Sequence, residues 1–239
     1  MAQDTISPPG PLPRGRHRLS REAVRASQRN RLLDAMVHLS AEHGYQALTI
    51  THLVERARVA RRTFYEHFET KEACFLAAFD YTAEQIITPL LGAFDPVEDV
   101  VERADAYVAA MLDSLATRPA LARMLVIEVG AGGPNAISRR LEMHRRIANA
   151  IVELNTQTRA LGVHVPPLTA NRALAIVGAL IEPMHATIHD HGAEHLPHLH
   201  PELTTIVALL ISQPPHQAPT PSRQQRADSE TDRGRDPDW

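Results

Sequence analysis

A short part of the chain holds side chains suited to recognising anions and base edges: Thr49, then Arg61, Arg62, Thr63, Tyr65, His67 and Lys71. A guanidinium fork matches guanine O6 and N7, and it matches phosphate oxygens equally well. The hydroxyls of Thr63 and Tyr65 can each donate and accept. His67 and Lys71 follow one and two turns further on, where donors would meet backbone phosphates. Lys71 is the only lysine in the chain and stands at a helix start, where the helix dipole disfavours a cation. An anionic partner would resolve that conflict.

Other chemistries find less support. No nucleophile stands at a recognisable spacing from a base, no glycine loop could cradle a phosphate, and no paired carboxylates sit in an apolar setting. Neither a catalytic residue nor a cofactor is expected. The lone cysteine, Cys74, lies among Ala73, Phe75 and Leu76 and reads as a small core residue. Six of the 14 histidines fall close together: His185, His189, His191, His195, His198 and His200. His185 and His189 are one helical turn apart, a spacing that can chelate a metal. No cysteine is nearby and the spacings from His191 to His200 match no closed site. A polar loop between two helices is the plainer reading, with metal binding as its alternative.

Charge separates the chain into two parts. From Arg14 to Glu72 there are 12 basic and 7 acidic side chains, whereas the remainder carries 13 basic and 21 acidic. A basic quarter on an acidic body suggests a dedicated polyanion-binding surface. The 239 residues, 44% hydrophobic and 22% charged, suit a soluble globular protein with one small unit and one larger one. Aromatic content is only 4%, so aliphatic side chains must build most of the core. No run approaches the roughly 18 apolar residues that span a bilayer, and the N-terminus lacks the apolar stretch of a signal peptide. A cytoplasmic protein without a membrane partner is expected.

Helical periodicity dominates the positions between the two ends, giving an all-α fold of about nine helices. The first starts after Ser20, carries Val24, Leu32, Met36 and Leu39 on one face, and ends near Gly44. Thr49 caps a short helix to about Arg56, and a second short helix covers Ala60 to His67. Ile50, Leu53, Val54, Ala57, Val59 and Phe64 supply the small core that sets the crossing of these two helices around a turn at Arg58. This is helix-turn-helix geometry, with the second helix free to lie in a major groove. Thr70 caps a long helix that Pro89 is expected to break after Thr88. Asp95-Pro96 with Glu98 signals the next start, continuing to Thr117. Further helices are expected over Pro119 to Val129, Asn135 to Leu161, from a Thr169 cap onward, and over Pro201 to Ile211. Pro183 should kink the eighth. The boundaries are a basic arm over 1–18, a helix-turn-helix unit over 19–80, a helical body over 81–212 and a tail over 213–239, the arm and tail being disordered.

The segment from about Arg29 to Phe79 resembles the N-terminal domain of the TetR family of bacterial transcriptional regulators. The resemblance rests on Leu32, Leu33 and Ala35, then Gly44-Tyr45, Thr49-Ile50, the turn, Thr63-Phe64-Tyr65-Glu66-His67-Phe68, and Thr70-Lys71-Glu72. The lead-in Leu19-Ser20-Arg21-Glu22 is similar to some actinobacterial members. The resemblance implies that Arg61, Arg62 and Thr63 face the groove while Thr49, Tyr65, His67 and Lys71 touch phosphates. Two positions depart from the family pattern. Arg58 stands where the turn glycine is usual, so it must avoid or tolerate a positive φ. Ala60 stands where a serine usually opens the recognition helix, and it cannot cap.

The resemblance further implies a C-terminal effector-binding and dimerisation domain, and hence a dimeric repressor released from a palindromic double-stranded DNA operator by a small molecule. The alternatives are a metal-responsive regulator using the histidines from 185 to 200, or a DNA-binding protein without ligand. Its last two long helices would form the homodimer interface, to which Ala170, Ala173, Gly178 and Ala179 are suited by size. Phe79, Ile86, Tyr107, Met111, Met124, Ile127 and Ile147 are candidate pocket walls. Glu128 and His144 are candidate polar anchors.

Overall fold

The computed structural model describes residues 20–92 and 100–213. The expected basic arm, the Asp95-Pro96 helix start with Glu98, and the tail from 214 onward lie outside the described residues. Nine α-helices are present among those described: α1 Arg21–His43, α2 Ile50–Ala57, α3 Arg61–His67, α4 Lys71–Gly92, α5 Val100–Ala116, α6 Pro119–Val126, α7 Gly133–Ala160, α8 Ala170–Asp190 and α9 His200–Ser212. Single 3-10 segments at Tyr45–Ala47, Glu128–Gly132 and Ala193–Leu199 join α1 to α2, α6 to α7 and α8 to α9. None of the described residues forms a strand. No helix among them is long and apolar enough to cross a membrane.

Local chemistry explains where four of the nine described helices begin. The side-chain oxygens of Ser20, Thr49, Thr70 and Thr169 accept from the amides of Ala23, His52, Ala73 and Arg172. Each satisfies an amide the helix leaves without a partner, worth about 1 kcal/mol. Thr49 forms a full capping box, because its own amide donates to His52 Nδ1 at 3.3 Å.

Pro89 does not end α4. The helix runs on to Gly92, against the break expected after Thr88. Proline removes the amide that would bond the Gln85 carbonyl. Arg118, ahead of α6, donates to that carbonyl from Nη1 at 3.2 Å. A tertiary donor therefore replaces the missing helical one. α8 likewise continues through Pro183 to Asp190.

A single apolar core runs through the molecule. Leu32, Leu33 and Met36 of α1, Leu53 of α2, Phe64 of α3 and Phe75 and Phe79 of α4 are fully enclosed. They continue into Leu112 of α5, Met124 of α6 and Ile176, Met184 and Ile188 of α8. α1 packs on α4, α2 and α6, while α5, α8 and α9 enclose the far end.

Candidate functional site

The turn between α2 and α3 is built around a left-handed residue. Arg58 has φ 53° and ψ 49°, the only positive φ outside glycine among the described residues. Its amide bonds to the Glu55 carbonyl and that of Val59 to the Val54 carbonyl at 3.0 Å, the pairing of a Schellman closure. Arg31 of α1 fixes the turn from outside. Its Nη1 donates to the carbonyls of Ala57 at 2.8 Å and Arg58 at 3.3 Å. The glycine of the family pattern is replaced by an arginine whose strained backbone is held by a second arginine.

α3 rests on Phe64, which has no exposed surface, and ends at the buried Phe68. Ala60 makes no side-chain cap, as its type requires. The outward face carries the predicted contacts. Arg62 is 90% exposed and its Nε meets Glu66 at 3.2 Å, one turn along. Arg61 lies over the Tyr65 ring, 5.9 Å from its centroid, and its guanidinium reaches Thr51 Oγ1 at 3.4 Å and the Tyr65 hydroxyl at 3.5 Å. Tyr65 is 49% exposed, Thr63 is half-buried and Thr49 is exposed at the α2 cap. Arg25, which sequence reasoning did not single out, joins this face by donating from Nη2 to the Glu66 carbonyl at 3.3 Å. Its signal was its place among the exposed arginines of α1.

One of the predicted phosphate contacts, Lys71, has internal partners. Lys71 Nζ donates to the carbonyls of Leu48 at 2.8 Å and Tyr45 at 3.1 Å, and it stands 4.3 Å from the Tyr45 ring centroid. This accounts for a cation at a helix start without an external anion. Burial lowers the pKa of this ammonium. His67 has its Nε2 buried without a hydrogen-bond partner. Burial, then the charges of Arg25 and Arg29, lower its pKa below the usual 6.5.

Neither predicted polar anchor lines the cavity between α5, α7, α8 and α9. Glu128 is buried, and its Oε2 accepts from the Tyr45 amide at 3.0 Å while Oε1 meets Arg123 at 3.5 Å. It ties the turn before α2 to the segment after α6. Gln46 assists by donating to the Ala131 carbonyl at 2.6 Å, and Asn135 by donating to Glu72 at 2.8 Å. Gly132 allows the approach, since a Cβ there would lie 2.4 Å from the Phe75 ring. Met124 and Phe79 are core, and His144 is half-buried with an unpartnered Nε2.

Only Tyr107, of the expected walls and anchors, lines the cavity found between α5, α7, α8 and α9. That cavity measures about 70 Å³ and its surface is largely apolar. Arg103, Asn155 and Thr158 are its polar members, and none was expected. A visible signal existed for one of them: Arg103 shares the helical stripe of Ala104, Tyr107, Val108, Met111 and Leu115, a position that should face the core.

The histidines form no three-ligand group, and among the described residues no three His, Cys, Asp or Glu side chains converge on a metal position. His189 pairs with Asp190 at 2.9 Å and His200 with Asp105 at 3.0 Å. On α8, Ala173 is buried in the core rather than at an outer face, whereas Ala170 and Gly178 are exposed and Ala179 half-buried. A Cβ on Gly178 would meet nothing within 4 Å.

Comparison with known proteins converges on the same segment. Residues 32–78 match the family described as bacterial regulatory proteins, tetR family. The chain is 27% identical over 101 residues to the HTH-type transcriptional activator FasR of Mycolicibacterium smegmatis, covering 42% of this chain and 46% of that one. It is 26% identical over 137 residues to the HTH-type transcriptional repressor AcnR of Corynebacterium diphtheriae, covering 56% and 67%. The matches thus span about half to two thirds of these curated relatives. In fold, the chain is similar to the transcriptional regulator FadR of Bacillus subtilis, solved in complex with stearoyl-CoA, with TM-score 0.61, 20% identity and coverage of 76% and 97%.

Proposed function

We propose that this chain, whose residues 32–78 match the family described as bacterial regulatory proteins, tetR family, is a DNA-binding transcriptional regulator acting through α3. The observation that carries this reading is the pair Arg61 and Arg62, exposed at the start of a short helix whose opposite side is locked by Phe64. A recognition helix needs base-reading side chains at its N-terminal end and a rigid base beneath them. Arg61, Arg62 and Thr63 read the groove. Thr49, Tyr65 and Arg25 meet phosphates, while Lys71 and His67 hold the unit from within.

The regulator works as a homodimer. One α3 reads only a few base pairs, and two of them about 34 Å apart read both halves of a palindrome. The small face of α8 at the exposed Gly178 and half-buried Ala179, with Leu209 of α9 at 56% exposure, is the proposed contact between copies. Repression by occupying the operator is the mode proposed, since it requires no additional partner. The effector sits in the cavity between α5, α7, α8 and α9. It releases DNA only by binding one arrangement of the dimer better than the other.

Selection of bound duplexes from a random pool, with the full chain, tests this reading. A palindromic consensus is expected. No enrichment at any salt concentration would sink it.

A further inference from the structure

Arg103 is the one charged residue lining a largely apolar cavity among the described residues. It is 8% exposed, and it donates from Nη2 to Thr158 Oγ1 at 2.8 Å. Thr158 is a neutral partner whose hydroxyl donates a hydrogen bond to the Leu154 carbonyl at 2.8 Å. Among the described residues no carboxylate is paired with Arg103. The acid two positions away, Asp105, is engaged by His200 at 3.0 Å and by the Thr204 hydroxyl at 3.2 Å. Asn155 is also occupied, donating to the Pro166 carbonyl and accepting from the Leu168 amide, both at 3.1 Å. It pins the strap between α7 and α8, whose Val165 and Leu168 line the cavity.

A guanidinium keeps its charge in proteins, so burying one with only a hydroxyl beside it among the described residues is costly. Burial does lower the Arg103 pKa, in keeping with that cost. The partner that best relieves it is a single negative charge with two coplanar oxygens, which the planar fork binds bidentately. A doubly charged phosphate would bring an unmatched charge into the same apolar walls. Size narrows the class further. A water takes roughly 10–15 Å³ on this scale, so the 70 Å³ cavity holds about five, the space of a benzene-sized molecule.

We propose that the cavity binds a small monocarboxylic acid with a compact apolar body, its carboxylate on the Arg103 guanidinium and its body against Val108, Ile176 and Leu180. Release of DNA by such an acid rests on the regulatory reading above; the binding site does not.

Calorimetric titration of the full chain with benzoate, octanoate, benzyl alcohol and benzylamine tests the site without DNA. Benzoate and octanoate should bind, with benzoate about tenfold or more tighter than the alcohol and the amine. Arg103→Gln should remove the preference for the acid, and Thr158→Val should retain it. The headgroup comparison in the unaltered chain needs no variant, so misfolding of Arg103→Gln would not blur it. Equal binding of acid and alcohol would mean that the charge is already neutralised within the chain, and would overturn the proposal. So would the absence of binding by both acids. Addition of benzoate to the complex with a selected duplex is scored separately. A failed DNA selection beside intact acid binding would count against the regulatory reading alone.

Discussion

The Glu128 carboxylate accepts a hydrogen bond from the Tyr45 amide at 3.0 Å, across 83 positions of sequence. It is the buried polar link between the turn that precedes α2 and the segment that follows α6. A buried amide without an acceptor costs about 1–3 kcal/mol. Glu128→Ala should therefore lower unfolding free energy by about that amount in a urea titration. Glu128→Gln, which can still accept from the amide, should lose less. Equal losses for both would show that the Arg123 ion pair, not the Tyr45 bond, is what matters.

Arg58 invites a backbone test. A side chain in the left-handed region costs roughly 1 kcal/mol, and glycine removes that strain while adding freedom to the unfolded chain. Arg58→Gly should leave stability unchanged or raise it by up to about 1 kcal/mol, whereas Arg58→Val should cost about 1–3 kcal/mol. Thermal unfolding of both variants distinguishes this from a purely steric tolerance, which predicts the same outcome for each.

Lys71 separates an internal role from a phosphate contact. With two carbonyls accepting from its ammonium, Lys71→Met should destabilise the fold by about 1.5–3 kcal/mol. The salt dependence of DNA binding should keep its slope, since a lost phosphate contact would reduce it by about 1. A shallower slope with unchanged stability would reverse the assignment.

On α3, Arg61 is positioned by Thr51 and Tyr65, whereas Arg62 meets only Glu66 among the hydrogen bonds described. Arg61→Ala should relax sequence preference at one position of each half-site, at a cost of about 1–3 kcal/mol. Tyr65→Phe removes one of the two groups holding Arg61 and should reproduce part of that relaxation. Base preferences from repeated duplex selection provide the measurement.

His67 gives a pH dependence of defined sign. Its folded-state pKa lies below 6.5 because of burial and the arginines at 25 and 29. Between that lowered value and 6.5 the unfolded chain binds more protons than the native one, so stability falls as pH drops through this window. His144 acts in the same direction through burial and Arg140. His38, raised by its hydrogen bond to Asp34, opposes both and contributes stability that is lost as pH rises through its folded value. Stability measured against pH should decline below 6.5, and His67→Gln should flatten that decline. An unchanged decline in the variant would show that His144, not His67, governs the window.

The amino-acid sequence by itself determined most of the elements and the face proposed to meet DNA. Caps act over three residues and apolar stripes over a few turns, so Ser20, Thr49, Thr70 and Thr169 could be read as starts, and Phe64 as the base of α3. Their energies are local, and local spacing reveals them. What only the tertiary structure decided was the fate of groups whose partners are distant in the chain. Pro89 stays inside a helix because Arg118 supplies the missing donor, and Lys71 faces two carbonyls more than twenty positions back. Glu128 became a link and not a pocket anchor for the same reason. The cavity is the clearest case. Every helix of the body carries apolar residues at helical spacing, and spacing alone does not say which stripe meets another and which leaves room. Arg103 broke such a stripe visibly, but only the tertiary packing showed that its guanidinium lines a space, with the Thr158 hydroxyl as its partner among the described residues.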